Sequence, residues 1–368
     1  MRSSIGNKLK ITVFGESHGQ MVGIVVDNMP CGIKVNDELI KQCLIYRKPY
    51  GKISTPRIET DEYNIVSGIF NGYTTGAPLT IQILNTNVKS KDYSNIKDVL
   101  RPSHGDYTTR FKYHDYNDYR GGGHTSGRLT TGIVAFGAIC KDMLSQKGIK
   151  IGSHILSIKD VKDTSFEQSI LSSQIDECNS KTFSVLSNCK SDMVKLIEDA
   201  AKNNDSVGGI LETAIINMPV GIGQPMFHSL ESELSKMIFS VGGVKGVEFG
   251  LGFEFNNYYG SQVNDQFCIS DDKIITSTNN NAGINAGISN GMPIIIKTVV
   301  KPTPSISKTQ HTVNYQTKEE SDLTISGRHD PCIVHRARIV IDSVIAIALT
   351  DMLLDEYGDD YFLCKKDC

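Results

Sequence analysis

The chain has 368 residues, 39% of them hydrophobic and 21% charged, and its 38 lysines and arginines stand against 41 aspartates and glutamates for a net charge of −3. That length gives roughly two domains or one large one, with ample chain to bury a core, and the composition is that of an ordinary soluble globular protein rather than a disordered one. A charge so near balance supplies no basic field for nucleic acid or an anionic membrane, so neither is an expected partner, and any anion site must come from local clustering of cations.

In chain order, β-branched stretches bounded by Gly, Asn or Pro predict strands at Lys10 to Phe14 and Val22 to Val26, followed by a helix over Asp37 to Tyr46 and a strand over Leu79 to Leu84. Leu129, Ile133, Val134, Phe136, Ile139, Cys140, Met143 and Leu144 recur at helical spacing and predict a helix over Arg128 to Gln146. The region from about Asp160 to Ser191 is polar and weakly patterned, and reads as a peripheral insertion. Helices follow at Ser191 to Lys202 and Leu230 to Phe239, strands at Leu211 to Ile216, Val247 to Phe255 and Pro293 to Val300, and a last helix at Ser343 to Leu354. Several strands succeed one another without an intervening helix, which predicts antiparallel pairing and an α+β class. The nine cysteines, at 31, 43, 140, 178, 189, 268, 332, 364 and 368, include no CxxC pair; reduced thiols and a cytoplasmic location are expected. Met1-Arg2 leads into polar residues, and no run of ~18 apolar residues occurs, so neither an export signal nor a membrane span is expected.

Four groups of residues carry chemistry. Arg120-Gly121-Gly122-Gly123-His124-Thr125-Ser126-Gly127-Arg128 puts three glycines and two arginines ahead of a helix, the pattern of an anion-binding loop, although such turns also serve as plain connections. Gly15-Glu16-Ser17-His18-Gly19 matches the G-x-S-x-G form of a nucleophile elbow, but the Val22 to Val26 strand that follows predicts a hairpin turn displaying His18 instead. Arg101-Pro102-Ser103-His104-Gly105-Asp106 places a cation, an imidazole and a carboxylate together, as suits an acid that protonates a departing anion. In Gly327-Arg328-His329-Asp330-Pro331-Cys332, with His335 and Arg336 behind, a carboxylate beside arginines is either a base or relay or a structural salt-bridge turn. Arg47, Lys48, Lys52 and Arg57 add cations, and together these clusters can hold a small ligand bearing several negative charges, each charge-assisted hydrogen bond contributing roughly 1.5–3 kcal/mol. No metal-ligand pattern is present.

With these motifs in order along nearly the whole length, the chain resembles the chorismate synthase family. TVFGESHG at 12–19, Ser90-Lys91-Asp92-Tyr93, RPSHGDYT at 101–108, YRGGGHTSGR at 119–128, Gly243-Val244-Lys245-Gly246-Val247-Glu248, NAGINAGISNG at 281–291, KPTPSI at 301–306 and GRHDPC at 327–332 carry the resemblance. It implies a single domain over 1–368 with helices sandwiched between antiparallel sheets, a homotetramer, and a lyase of aromatic amino acid biosynthesis. The implied reaction is the trans-1,4 elimination of phosphate from 5-enolpyruvylshikimate 3-phosphate to give chorismate, the last step of the shikimate pathway. The family requires reduced FMN (FMNH2) without net redox change. Some members also reduce FMN with NADPH; here no G-x-G-x-x-G turn exists, and an external flavin reductase or other source of reduced FMN is expected.

Carried over by the resemblance, His104 assists phosphate departure, His18 protonates reduced flavin, Asp330 helps remove the ring hydrogen, and Ser17 is a relay. Arg47, Lys52, Arg57, Arg101, Arg128 and Arg328 fall on substrate contacts. His124, Thr125, Ser126, Gly242, Gly243, Ala286, Lys301, Pro302, Thr303, Pro304, Ser305 and Arg328 fall on the flavin cradle. Many members have arginine where His124 stands and glutamate where Leu129 stands, and Lys52 replaces an arginine, so a bidentate contact becomes a point charge. Two other classes are a serine hydrolase using Ser17 and a non-catalytic anion-binding module.

Overall fold

The computed structural model describes residues 3–55, 60–86, 98–168, 171–325 and 329–363. Five antiparallel strands, β1 (Ser4–Ile5), β2 (Lys10–Gly15), β3 (Met21–Asp27), β4 (Tyr63–Ser67) and β5 (Leu79–Leu84), form one sheet in the spatial order β1-β2-β3-β5-β4. A second antiparallel sheet is built from β6 (Lys150–Ile158), β7 (Val161–Lys162), β8 (Gly209–Ile216), β9 (Val244–Phe249) and β10 (Ile294–Val300), in the order β9-β10-β8-β6-β7. The helices of eight residues or more are α1 (Asp37–Arg47), α2 (Asp106–Tyr113), α3 (Thr130–Gln146), α4 (Leu171–Asn179), α5 (Lys190–Lys202), α6 (Leu230–Phe239) and α7 (Val334–Tyr357).

Period-two burial makes the sheet faces. Leu79, Ile81 and Ile83 of β5 are fully buried, as are Val22, Ile24 and Val26 of β3, and both rows face α3. α3 packs in turn on α1 and α7, and α7 packs on β6 and β8, so these three helices lie between the two sheets. The arrangement is α+β, as the sequence predicts. The α3–α7 crossing is close because residue 137 is glycine: a Cβ there would stand 2.4 Å from Ser343 Cβ. α7 is buried on nearly every side, including Arg338 and Asp342, as befits a helix in the middle of a layered core. Near its far end, the Asp351 carboxylate accepts the backbone N–H groups of Asn7 (2.7 Å), Lys8 (2.8 Å) and Leu9 (2.8 Å).

Several predicted bounds change. The strand expected over Val247 to Phe255 runs Val244–Phe249 instead, and Gly252–Asn257 is a 3-10 turn, entered through Gly250 and Gly252 at positive φ. The last helix starts at Val334, nine residues earlier than its apolar periodicity shows, because His335, Arg336 and Arg338 occupy its first turns. β6 escapes the pattern because Ser153 and His154 interrupt it. Both are buried: Ser153 Oγ donates to Asp342, and His154 bridges Asp163 Oδ2 and Glu212 Oε2 at 3.0 Å each. Segment 160–191 contributes β7, α4 against β6 and β8, and the buried Phe183. The cysteines among the described residues are free, and no described helix is long and apolar enough to cross a membrane.

Candidate active site

The β2–β3 hairpin forms as predicted, with a strand and not a helix after Ser17, which removes the nucleophile-elbow geometry and with it the hydrolase reading. Asn85, just after β5, pins the turn: its Nδ2 donates to Glu16 O at 3.0 Å and Gly19 O at 2.9 Å. Ser17 and His18 are buried there, and Ser17 N–H donates to Gly123 O at 3.1 Å.

Gly121, Gly122 and Gly123 take φ of 58°, 84° and 52°. A side chain at the first two would enter the site: a Cβ on Gly121 would stand 2.4 Å from His18 Cε1 and 2.9 Å from Ser17 Oγ, and one on Gly122 would stand 3.6 Å from His104 Cε1. Two adjacent glycines therefore bring the two predicted histidines to one loop. Arg120 is turned to Asp118, with Nε at 2.8 Å from Oδ1 and Nη2 at 2.8 Å from Oδ2. The His124 ring lies between Gly15 O (2.8 Å from Nδ1) and Ser3 Oγ (2.9 Å from Nε2), so it braces the first sheet. Thr125 Oγ1 donates to Gly122 O at 2.7 Å, and Ser126 Oγ accepts from Arg128 N–H at 3.3 Å.

In the 101–106 turn, Asp106 opens α2 and accepts three bonds from Arg101, from N (3.0 Å), Nε (2.8 Å) and Nη2 (2.7 Å), as well as His104 Nδ1 at 3.0 Å. Burial alone would raise the Asp106 carboxyl pKa, but the bonds from Arg101 and His104 overcome this and hold it far below the ordinary carboxylate range. With Nδ1 engaged by a carboxylate, Nε2 is the His104 nitrogen left to act on a ligand.

Asp330 precedes α7. Its Oδ1 accepts Thr55 N–H at 2.9 Å and its Oδ2 accepts Arg336 Nη1 at 2.7 Å, while Arg336 Nε donates to Arg47 O at 2.9 Å. Burial lowers the neighbouring His329 pKa, and Arg101 adds to that effect, linking this segment electrostatically to the 101–106 turn. Arg47 and Arg128 are buried and both pair with Asp61, Arg47 Nη1 at 3.1 Å from Oδ2 and Arg128 Nη1 on Oδ1. Burial opposes ionisation of Asp61, but the two guanidinium groups prevail and lower its pKa. Four guanidinium groups, of Arg47, Arg101, Arg128 and Arg336, thus meet three carboxylates, of Asp61, Asp106 and Asp330. Lys52 is exposed in the 3-10 turn Gly51–Ile53. Arg57, Arg328 and Ser90 to Tyr93 lie outside the described residues.

The other described positions expected to hold flavin, beyond His124, Thr125 and Ser126 of the Gly loop, fall in two places. Lys301 N–H donates to Gly243 O at 2.9 Å and its Nζ to Ser103 O at 2.8 Å, which sets the 242–243 and 301–305 segments beside the His104 turn. Thr303 Oγ1 is buried without a hydrogen-bond partner, and no atom beyond the adjoining residues lies within 4 Å of where a Cβ on Gly242 would stand, among the described residues. A buried hydroxyl left unpaired and an open backbone fit a polar ring system. Pro302 is exposed, and Pro304 and Ser305 are half-buried in the same stretch. Ala286 is exposed on a separate turn, whose Gly287 O accepts Leu230 N–H at 2.8 Å from the start of α6. Sequence reasoning misses Asp61 and Asn85, because neither stands in a cluster; fourteen residues separate Asp61 from Arg47 and only the fold joins them.

The family profile described as "Chorismate synthase" matches residues 9–354. The chain is 45% identical over 355 residues to a chorismate synthase of Methanobrevibacter smithii, covering 96% of this chain and 97% of the relative. It is 46% identical over 352 residues to that of Pyrococcus abyssi, covering 95% and 97%. A solved structure described as "Crystal Structure of Chorismate Synthase" superposes with a TM-score of 0.75 at 27% identity, covering 96% of this chain and 94% of that one. A profile match over nearly the full length, relatives sharing almost half their residues, and a common fold agree: the chain is an enzyme of the lyase class and belongs to the chorismate synthase family.

Proposed function

We propose that the protein removes phosphate and one ring hydrogen from 5-enolpyruvylshikimate 3-phosphate in a trans-1,4 elimination, giving chorismate at the end of the shikimate pathway. The observation that carries this reading is the meeting of His18 and His104 on the Gly121–Gly122 loop, with a carboxylate fixing one of them. Asp106 holds the His104 ring by Nδ1, so that Nε2 passes a proton to the departing phosphate. Asp330, steadied by Thr55 N–H and Arg336, stands as acceptor for the ring proton. His18 holds a proton at the floor of the site, with Ser17 as relay.

Arg101 and Arg128, with Arg47, Lys52, Arg57 and Arg328, supply the positive charge that a substrate with two carboxylates and a phosphate requires. The chemistry that reduced FMN would supply, when bound, is a reversible electron donation to the substrate with no net oxidation. Gly242, Gly243, Lys301, Pro302, Thr303, Pro304 and Ser305 would hold it, with His124, Thr125, Ser126, Ala286 and Arg328. We further assign a cytoplasmic homotetramer that depends on an external flavin reductase or another source of reduced FMN. The test is anaerobic: substrate with chemically reduced FMN should release phosphate, and oxidised FMN should give none. Oxidation of one flavin per product would instead make the protein an oxidoreductase.

A further inference from the structure

Segment 50–55 and the start of α7 meet in a buried contact that the chemistry above leaves unused. His335 is 1% exposed, and its Nε2 lies 2.7 Å from Ser54 Oγ. Ser54 Oγ also accepts Tyr50 N–H at 3.0 Å, so one hydroxyl ties the imidazole to the whole segment. Thr55, the next residue, gives its N–H to Asp330 Oδ1 at 2.9 Å. The His335 ring stacks on Phe183 (centroids 6.0 Å apart, planes 28° apart), Phe183 lies 6.5 Å from the Tyr50 ring, and Lys190 Nζ sits over Tyr50 at 5.4 Å and Phe183 at 5.8 Å. The contact is therefore braced on two sides by residues of segment 160–191.

Two consecutive residues of α7 thus hold one carboxylate from two directions. Arg336 does so directly at 2.7 Å, and His335 does so through Ser54 and Thr55. We propose that His335 is a positioning residue for Asp330, its hydrogen bond to Ser54 setting the Thr55 N–H on Asp330 Oδ1; this rests on the role of Asp330 given above. Burial first, and Arg336 second, push the His335 pKa down to about 3, so at neutral pH the ring is uncharged and serves as a hydrogen-bonding strut.

His335→Phe keeps a ring against Phe183 and removes only the hydrogen bond, Ser54→Ala removes its other partner, and His335→Gln restores an N–H at similar reach. Phosphate release with reduced FMN should show kcat about 10-fold lower in His335→Phe and in Ser54→Ala, with substrate KM within about two-fold, because misplacing a reacting group by a fraction of an ångström slows the chemical step. The double variant should be no worse than either single one, and His335→Gln should recover most of kcat. Wild-type kcat in both single variants, losses that multiply, no recovery in Gln, or losses that merely track the thermal midpoint would each overturn the proposal. Full activity in Asp330→Ala would remove the underlying reading as well, whereas a dead Asp330→Ala beside an unaffected His335→Phe overturns the positioning role alone.

Discussion

Arg47 and Arg128 grip opposite oxygens of one buried carboxylate, that of Asp61, although 81 residues separate them in the chain. Arg47 Nη2 donates onward to Gly127 O at 3.1 Å, and Arg128 Nε to Asn85 Oδ1 at 2.9 Å, so the pair joins α1 to the Gly loop and to the His18 turn. Asp61→Ala leaves two buried guanidinium groups facing each other, and breaking such an ion pair costs about 3–5 kcal/mol. Urea unfolding should report that loss with an unchanged slope. An effect below about 1 kcal/mol would mean that water reaches the arginines and that Asp61 is no keystone.

Gly121→Ala should nearly abolish turnover. Its φ of 58° is strained for a residue with a side chain, and the added methyl would overlap His18. Because the clash falls on a turn and not in the core, circular dichroism and the thermal midpoint should change little while kcat collapses. Retained kcat would place the loop away from the chemistry.

Asp106→Asn should lower kcat by about 10²–10⁴-fold, the usual effect of disabling an acid–base group, since the amide no longer offers a charged acceptor to His104 Nδ1 or to Arg101. Arg128→Ala should act differently, raising KM by removing part of the charge that meets the substrate. If Asp106→Asn raised KM as much as it lowered kcat, the turn would be a binding element and His104 would lose its assignment as the acid.

His335 makes stability depend on pH in a defined window. The folded protein keeps this imidazole neutral down to about pH 3, whereas the unfolded chain takes up a proton below about pH 6.5. Between those values the unfolded state binds more protons, so stability falls as the pH falls. Integrated from pH 7 to pH 5, the single group accounts for about 2 kcal/mol. Unfolding free energies from denaturant titrations at the two pH values should drop more in the wild type than in His335→Phe by that amount; equal drops would show the ring to be charged in the folded state.

Much of this was readable in the residues. β5 and α6 fall where periodicity puts them, Leu79–Leu84 and Leu230–Phe239, because each has a clean apolar face and a marked end. His18, His104 and Asp330 could be named because turn chemistry and neighbouring charges single them out. What stayed hidden is polar and buried. β6 carries Ser153 and His154 inside the core, made tolerable by Asp163 nearby in the chain and by the distant Thr213, Asp342 and Glu212. The arginines could be read as charge for a ligand, but not the aspartates with which the fold also matches Arg47, Arg101 and Arg128. Asp106 is five residues from Arg101 and could be suspected, whereas Asp61 is joined to its partners only by tertiary structure.

The helix at the centre of the sandwich follows every strand of both sheets in the chain. Until α7 is made, the second sheet lacks the helix it packs on, and the N–H groups of residues 7–9 lack the carboxylate of Asp351. During synthesis the two sheets can therefore pair their own strands but cannot share a core, and their apolar faces stay open to solvent and to other chains. Contacts spanning more than 340 residues make that closure slow, since the loop must be drawn in before the contact rewards it. The elongating chain is thus most exposed to aggregation just before α7 emerges, and shielding of the nascent sheets matters most at that moment.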